Sequence, residues 1–309
     1  MTSLVVPIAD HEHWLAVRKQ CAATASTAPA LVADHPYETP YSVYLRAIGE
    51  LPEIDENEAM MAGQDAEAMM PARARRVRPT LRLAKNDDFY VHPSLRFGGT
   101  PDFFGDDGSI WQAKCVDPAV FYGAWTEGPP LWVQLQLQAE YRLTGATQGG
   151  VLVLIRDRRF TTHLYDVPRH NGAIAAIEDA VRDLEKRVAT LNPPPVDWER
   201  DAAMVVRMHQ AVCKTAAPAD LSADARAHDL CQAYMLAAAS EAAARKAKDS
   251  AKAELLTLIG AAPGAVCGAY TIRANAVAAQ PDQAITPEMV GQMLKGRAAY
   301  RNFRIAEKV

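Results

Sequence analysis

Residues 98–116 read GGTPDFFGDDGSIWQAKCV, and this stretch decides the fold. Pro101-Asp102 lie on a strand or turn, Gly105-Asp106-Asp107-Gly108 form a hairpin turn, and Ile110–Lys114 make the return strand. Side chains alternate along a strand, so Gln112 and Lys114 share one face, with Ala113 and Cys115 behind. If the hairpin pairs in register, Asp102 faces them across it.

The neighbouring segments extend this hairpin into a layered core. Short strands are expected at Phe89–His92, Ile110–Cys115, Gly150–Ile155 and Thr161–Val167, with a helix, Pro130–Thr144, between the second and third. Residues 12–70 have helical character, broken at the turn His35-Pro36-Tyr37-Glu38-Thr39-Pro40. Strand, helix, strand in this order predicts an α/β (α+β) core with a central mixed sheet flanked by helices.

After Pro168 the character changes. Asn171–Leu191 is helical, Pro193-Pro194-Pro195 stops it, and Trp198–Lys214 resumes. A long Ala-rich helix follows over Leu221–Gly260, with Ser222 as its expected cap and Gly260 as its stop. The tail holds a strand over Ala269–Ala274, a short helix from Pro287, and Tyr300–Ile305. The expected division is therefore a core over 1–170 and a helical extension with a small α/β tail over 171–309.

Composition narrows the classes. Hydrophobic residues are 49% and charged residues 23%, which excludes wholesale disorder. No window approaches the ~18 consecutive apolar residues of a membrane span. The N-terminus lacks a basic leader region, so a cytoplasmic protein without membrane contact is expected. The five cysteines (Cys21, Cys115, Cys213, Cys231, Cys267) are scattered, which excludes a disulfide framework, CxxC metal sites and a clustered iron–sulfur site. The net charge of −4 alone argues against a nucleic-acid partner. That average hides a reversal, however. Residues 47–72 contain no Lys or Arg and seven acids, whereas Arg73, Arg75, Arg76, Arg78, Arg82 and Lys85 follow with no acid among them.

One carboxylate, one further oxygen ligand and one ammonium on a common face meet the needs of metal-assisted phosphodiester hydrolysis. The carboxylate holds a hard cation such as Mg²⁺. The cation activates water and neutralises charge on the phosphate, and the lysine orients that water or stabilises the transition state.

The pattern resembles the PD-(D/E)xK nuclease superfamily, and within it the lambda-exonuclease and YqaJ-like viral recombinase family. Five pieces carry the resemblance in order. They are Trp14-x-x-x-Arg18 with Thr24-Ala25-Ser26; Met61-Ala-Gly63-x-x-x-Glu67; Asp102 and Lys114, twelve residues apart; Gln136-Leu-Gln138 with Thr144-Gly145-Ala146; and a tail with the GAVCGAY strand and Tyr300–Ile305. The resemblance implies a Mg²⁺- or Mn²⁺-dependent 5′–3′ exonuclease acting on double-stranded DNA ends. Its 3′ strand would pass to a single-strand annealing protein in phage-type recombination, in a bacterial host or prophage setting. It also implies a homo-oligomer, such as a trimeric ring. Glu67, Asp102, Gln112, Lys114, Gln136 and Gln138 match the catalytic positions. Asp102, Gln112, Glu67 and Ala113 match the metal positions, while Arg18 and Ser26 match those holding the 5′-phosphate. The run Arg73, Arg75, Arg76 and Arg78 is expected to line the DNA path.

Position 112 departs from the family. Where a Glu or Asp ligates the metal, this chain has Gln, whose amide oxygen carries no full charge. Three readings stay open: compensation by another carboxylate, with Glu67 or Glu140 as candidates; an engineered inactivation; or a protein that binds DNA ends without cutting them. An endonuclease of the same superfamily, of restriction or defence type, is a further alternative. Other groups have plain explanations. His11 and His13 point to different faces of a helix, Cys115 behaves as a small core hydrophobe, and Gln134, Gln136 and Gln138 taken alone form a polar helix face.

Overall fold

The computed structural model describes residues 2–51, 58–209 and 219–278, together with the backbone of four short strands beyond them. Contacts divide the chain into two units, Met1–Val212 and Cys213–Val309.

In chain order the first unit runs β1 (Leu4–Pro7), α1 (His11–Arg18), β2 (Ala23–Thr24), α2 (Pro29–Val32), α3 (Pro40–Ala47), α4 (Glu58–Glu67), α5 (Met70–Val77) and β3 (Leu83–Lys85). It continues through β4 (Asp88–Val91), β5 (Phe97–Gly99), β6 (Phe103–Gly105), β7 (Ile110–Val116), α6 (Pro118–Ala124) and α7 (Leu131–Thr144). It closes with β8 (Gly149–Ile155), β9 (Thr162–Asp166), α8 (Asn171–Thr190) and α9 (Ala202–Met208). The four expected strands and the intervening helix are β4, β7, β8, β9 and α7.

The main sheet has the order β3-β6-β7-β8-β9, with β7 and β8 parallel and the other pairs antiparallel. This is the expected mixed α/β core. Beside the central strand β7 lies β8, whose run Val151-Leu152-Val153-Leu154-Ile155 is buried throughout, as a strand covered on both faces requires. Val151, Val153 and Ile155 pack with Ile110, Leu137 and Tyr141 on the side of α6 and α7. Leu152 and Leu154 pack with Trp111, Ala113, Met70 and Ala74 on the side of α5. A Cβ on Gly150 would sit 2.2 Å from the Tyr165 carbonyl oxygen, so β8 can pass this close to β9 only with glycine there. A second sheet, β1-β4-β5-β2, carries β4 away from the main sheet.

Helix α7 is buried nearly all round, including three polar residues, Gln136, Gln138 and Glu140. It ends where Gly145 adopts φ +79° and its N–H bonds the Tyr141 carbonyl at 3.0 Å, a left-handed stop that suits glycine.

The contacts divide the chain at 212/213, later than the boundary expected at 170/171. The reason lies in α8, which buries Ile174, Ile177, Val181 and Leu184; Ile177, Val181 and Leu184 pack into the cluster of Val43, Leu45, Leu135 and Leu143. After the prolines, Arg200 and Asp201 return to the turn at 35–39, where Thr39 Oγ1 donates to Asp201 Oδ1 at 2.6 Å. The helix expected over Trp198–Lys214 is observed as Ala202–Met208, and residues 210–214 lie outside the described part.

The second unit holds α10 (Ala225–Ile259), β10 (Gly264–Cys267), β11 (Tyr270–Arg273), β12 (Ala276–Val277), β13 (Gln283–Ala284), β14 (Met293–Leu294), β15 (Tyr300–Arg301) and β16 (Arg304–Glu307). Strands β10-β11-β16 form an antiparallel sheet. The α10 cap is Asp224, whose carboxylate accepts from the Ala227 N–H at 3.0 Å; Ser222 instead donates its hydroxyl to Asp220 at 2.6 Å. The helix expected from Pro287 lies outside the described residues. Among the described residues no helix is long and apolar enough to cross a membrane.

Leu152 is fully buried in β8. Leu152→Ala is expected to lower the stability of the first unit by about 2–5 kcal/mol, read as a lower denaturant midpoint with the slope unchanged.

Candidate active site

The β6–β7 hairpin pairs Phe103 with Trp111, which places Asp102 opposite Gln112 as the alternation predicts. Asp102 Oδ2 accepts two hydrogen bonds from β7, one from Gln112 Nε2 at 2.5 Å and one from the Ala113 N–H at 2.7 Å. Asn86 anchors the other side of Asp102: its N–H donates to the Asp102 carbonyl at 3.0 Å, and its Nδ2 to the Pro101 carbonyl at 3.0 Å. Loss of hydration pushes the Asp102 carboxyl up to about 6; nearby Lys114 and the Ala113 N–H oppose that rise, and Glu67 adds to it.

Lys114 points to the same face. Its Nζ donates to Gln136 Oε1 at 3.1 Å and lies 5.7 Å from the centre of the Trp132 ring. Gln136 in turn donates from Nε2 to Glu140 Oε1 at 3.0 Å, the i,i+4 spacing of one helix face. Glu140 is wholly buried, which raises its pKa, and the charge of Asp102 raises it further. Two oxygens in this group, Gln112 Oε1 and Glu140 Oε2, are buried and accept no hydrogen bond.

Glu67 reaches the same neighbourhood from the end of α4, but its Oε2 is paired with Lys85 Nζ at 3.0 Å. Asp102, Gln112, Ala113, Lys114, Gln136 and Glu67 are thus gathered as expected. Gln138 is not. Two helical residues turn by about 200°, so Gln138 faces away from Gln136. It donates to the Pro168 carbonyl at 2.9 Å and accepts the His170 N–H at 2.7 Å, which ties α7 to the start of α8.

The basic run lies apart from this group. Helix α5 packs on Trp111, Ala113, Leu152 and Leu154, the sheet face opposite Gln112 and Lys114. Arg78 makes a bidentate pair with Asp166 (2.7 and 2.9 Å) and lies over Trp111, while Arg73 donates to the Arg159 carbonyl at 3.2 Å. Arg75 and Arg76 are exposed on that far side. Of the whole run, Lys85 is the residue that meets the site.

Arg18 lies over Trp14 at 5.0 Å and lines a separate cleft of about 580 Å³ with Lys19, Thr24, Thr27 and Arg46. Ser26 Oγ is 3.0 Å from Thr24 Oγ1. His11 stacks on Trp14 at 5.6 Å and His13 accepts the Ala9 N–H, in keeping with surface roles.

Sequence reasoning missed an aromatic group beside Lys114. His35 packs edge-on to Trp132 at 5.1 Å, and Tyr37, 77% exposed, meets the same ring at 6.0 Å. His35 Nδ1 accepts the N–H groups of Tyr37 and Glu38 (3.3 and 3.1 Å). Burial, Arg200 and Lys114 push its pKa down to about 4, so the ring is neutral at pH 7. The turn at His35–Pro40 was legible, but its contact with α7 had no local signal.

The donors suit a hard divalent cation. Among the described residues no three His, Cys, Asp or Glu side chains converge, which disfavours an all-protein cage. Mg²⁺ needs only one or two carboxylates, with waters and substrate oxygens filling the rest. Asp102 and the unpaired oxygens of Gln112 and Glu140 are of that kind.

No protein-family model and no curated protein matches the chain. Among solved structures, an alkaline exonuclease from Laribacter hongkongensis is 21% identical, with a TM-score of 0.47 over 63% of this chain and 99% of that one. The same exonuclease in complex with dAMP aligns at 22% identity, with the same TM-score and the same coverage of both chains. A phage-related exonuclease from Haemophilus somnus 129PT is 14% identical, with a TM-score of 0.42 over 55% of this chain and 94% of that one.

The raised Asp102 pKa has a thermodynamic consequence. Between about pH 4 and 6 the folded chain binds this proton more tightly than the unfolded chain, so acidification through that window favours folding at this group. Asp102→Asn, which removes the costly charge, is therefore expected to raise the melting temperature more at pH 8 than at pH 4.5. An equal shift at both values contradicts this assignment.

Proposed function

We propose that the chain is a divalent-cation-dependent nuclease that degrades double-stranded DNA from its ends in the 5′–3′ direction. The observation that carries this reading is the convergence of the Asp102 carboxylate, the residue-112 side chain and the Lys114 ammonium on one face of the β6–β7 hairpin. Polarity, DNA ends and a recombination setting come from the family resemblance.

Mg²⁺ or Mn²⁺ would be held by Asp102 and the oxygen of residue 112, with Glu67 nearby, and would supply an acidified water and charge neutralisation at the phosphate. The chain's own groups do the rest. Lys114, held in place by Gln136, orients the attacking water and stabilises charge on the phosphoryl oxygens. Lys85 offers a second ammonium at the mouth of the site while keeping Glu67 neutralised. Tyr37 and Trp132 give a π surface on which the terminal base can stack, a contact every base can make. Arg18 and Ser26 would hold the terminal 5′-phosphate, and the resulting 3′ strand would pass to an annealing protein. A homo-oligomer, ring-shaped as in the family, belongs to the same proposal.

A second reading has one observation in its favour. Gln112 donates from Nε2 to Asp102 Oδ2, a neutral contact where the family has a second carboxylate, as a protein that binds ends without cutting would allow.

Labelled 5′-phosphorylated linear duplex and covalently closed circular DNA, each with Mg²⁺ or Mn²⁺, separate these readings. Loss of the linear 5′ strand with the circle intact supports the exonuclease; nicking of the circle points to an endonuclease. DNA binding without digestion, joined by digestion in Gln112→Glu, points to the end binder. In the active case Lys114→Ala is expected to reduce the rate about 10²-fold or more.

A further inference from the structure

The orphaned oxygen of Glu140 is the strongest unexplained feature near the site. A carboxylate with no exposed surface is costly unless each of its oxygens is compensated, yet Oε2 of Glu140 has no donor. Gln136 compensates only Oε1.

The crossover geometry says what Glu140 faces. Strands β7 and β8 are parallel, so α7, which connects them, runs back along β7 in the opposite direction. The segment that follows the helix returns to the beginning of β7, where the Ile110 N–H bonds the Gln148 carbonyl at 3.2 Å. Gln136 meets Lys114 directly. Four residues further along α7 is an advance of about 6 Å, and two residues back along β7 is a retreat of about 6.6 Å. The two displacements match and have the same direction. Glu140 therefore stands level with Gln112, whose Oε1 is the second oxygen in this group that is buried without a donor.

We propose that Glu140 supplies the carboxylate that strand position 112 lacks, so that Asp102 and Glu140, one from the hairpin and one from α7, ligate the divalent cation with the Gln112 amide between them. This restores two full negative charges at the site while keeping Lys114 in place. It rests on the reading of the chain as a cation-dependent nuclease, and it gives the buried acid of α7 a purpose other than packing.

The test uses Mn²⁺ alone with the full chain, its affinity measured by titration calorimetry and by loss of the free-ion paramagnetic resonance signal. Glu140→Gln keeps the acceptor for Gln136 and removes the charge; affinity is expected to fall tenfold or more. The double variant Glu140→Gln/Gln112→Glu returns the carboxylate to the strand and is expected to recover most of it. Unchanged affinity in Glu140→Gln, or a double variant as weak as the single one, overturns the proposal. If Glu140→Gln does not fold, wild-type crystals soaked in Mn²⁺ decide: an anomalous peak bonded to Glu140 supports the assignment, and one bonded only to Asp102 and Gln112 overturns it. A wild-type chain that binds no Mn²⁺ removes the nuclease reading as well, whereas equal binding with and without Glu140 removes this inference alone.

Discussion

A half-buried carboxylate takes hydrogen bonds from the protein in place of lost water, and Asp102 takes two from adjacent residues of one strand. That double acceptance fixes the hairpin register, because a slip of one residue turns the Gln112 amide and Lys114 to the other face. It also fixes where negative charge can sit. With Lys114 held by Gln136 on α7, the strand and the crossover helix are joined at the site by polar contacts in addition to the apolar packing of Ile110 on Leu137 and Tyr141. The costs are an Asp102 held away from its ordinary ionisation range and two oxygens left without donors. A chain that needed only a stable sheet gains nothing from this arrangement.

Much of this was legible in the sequence for a simple reason. A hairpin has a period of two and a short turn, so Asp102, Gln112 and Lys114 could be placed on one face from their spacing alone. The helix after it was legible as well, and its 3.6-residue turn already separates Gln136 from Gln138. What could not be read was distance across the fold. The arginines at 73–78 lie next to Glu67 in the chain, yet α5 covers the sheet face that Trp111 and Ala113 present, so chain proximity does not bring them to the Asp102–Lys114 face. Lys85, from the same run, does reach the site because β3 pairs with β6 at Lys85 and Phe103. The aromatic group of His35, Tyr37 and Trp132 joins residues about a hundred positions apart, and no local pattern announces such a meeting.

The division of the chain teaches the same lesson. The change in composition near residue 170 is real, but the amphipathic face of α8 belongs to the first core, as its buried Ile177, Val181 and Leu184 show. Prolines 193–195 end a helix; they do not end the unit. The net charge is similarly blunt, since it averages residues on opposite sides of one sheet.

Arg200 and Asp201 hold the carbonyls and the Thr39 hydroxyl of the turn that carries His35 and Tyr37. This clasp bears on how the first unit can be isolated. A fragment cut at the three prolines would retain every residue between Asp102 and Glu140, and would look complete by its motifs. It would nevertheless lose the bonds from Arg200 and Asp201 to the turn that stands beside Lys114, leaving that turn to its local bonds among Glu38, Thr39, Ser42 and Arg46. The first unit therefore runs past the most obvious break in the sequence, and a hydrogen-bonded clasp is part of what carries it there.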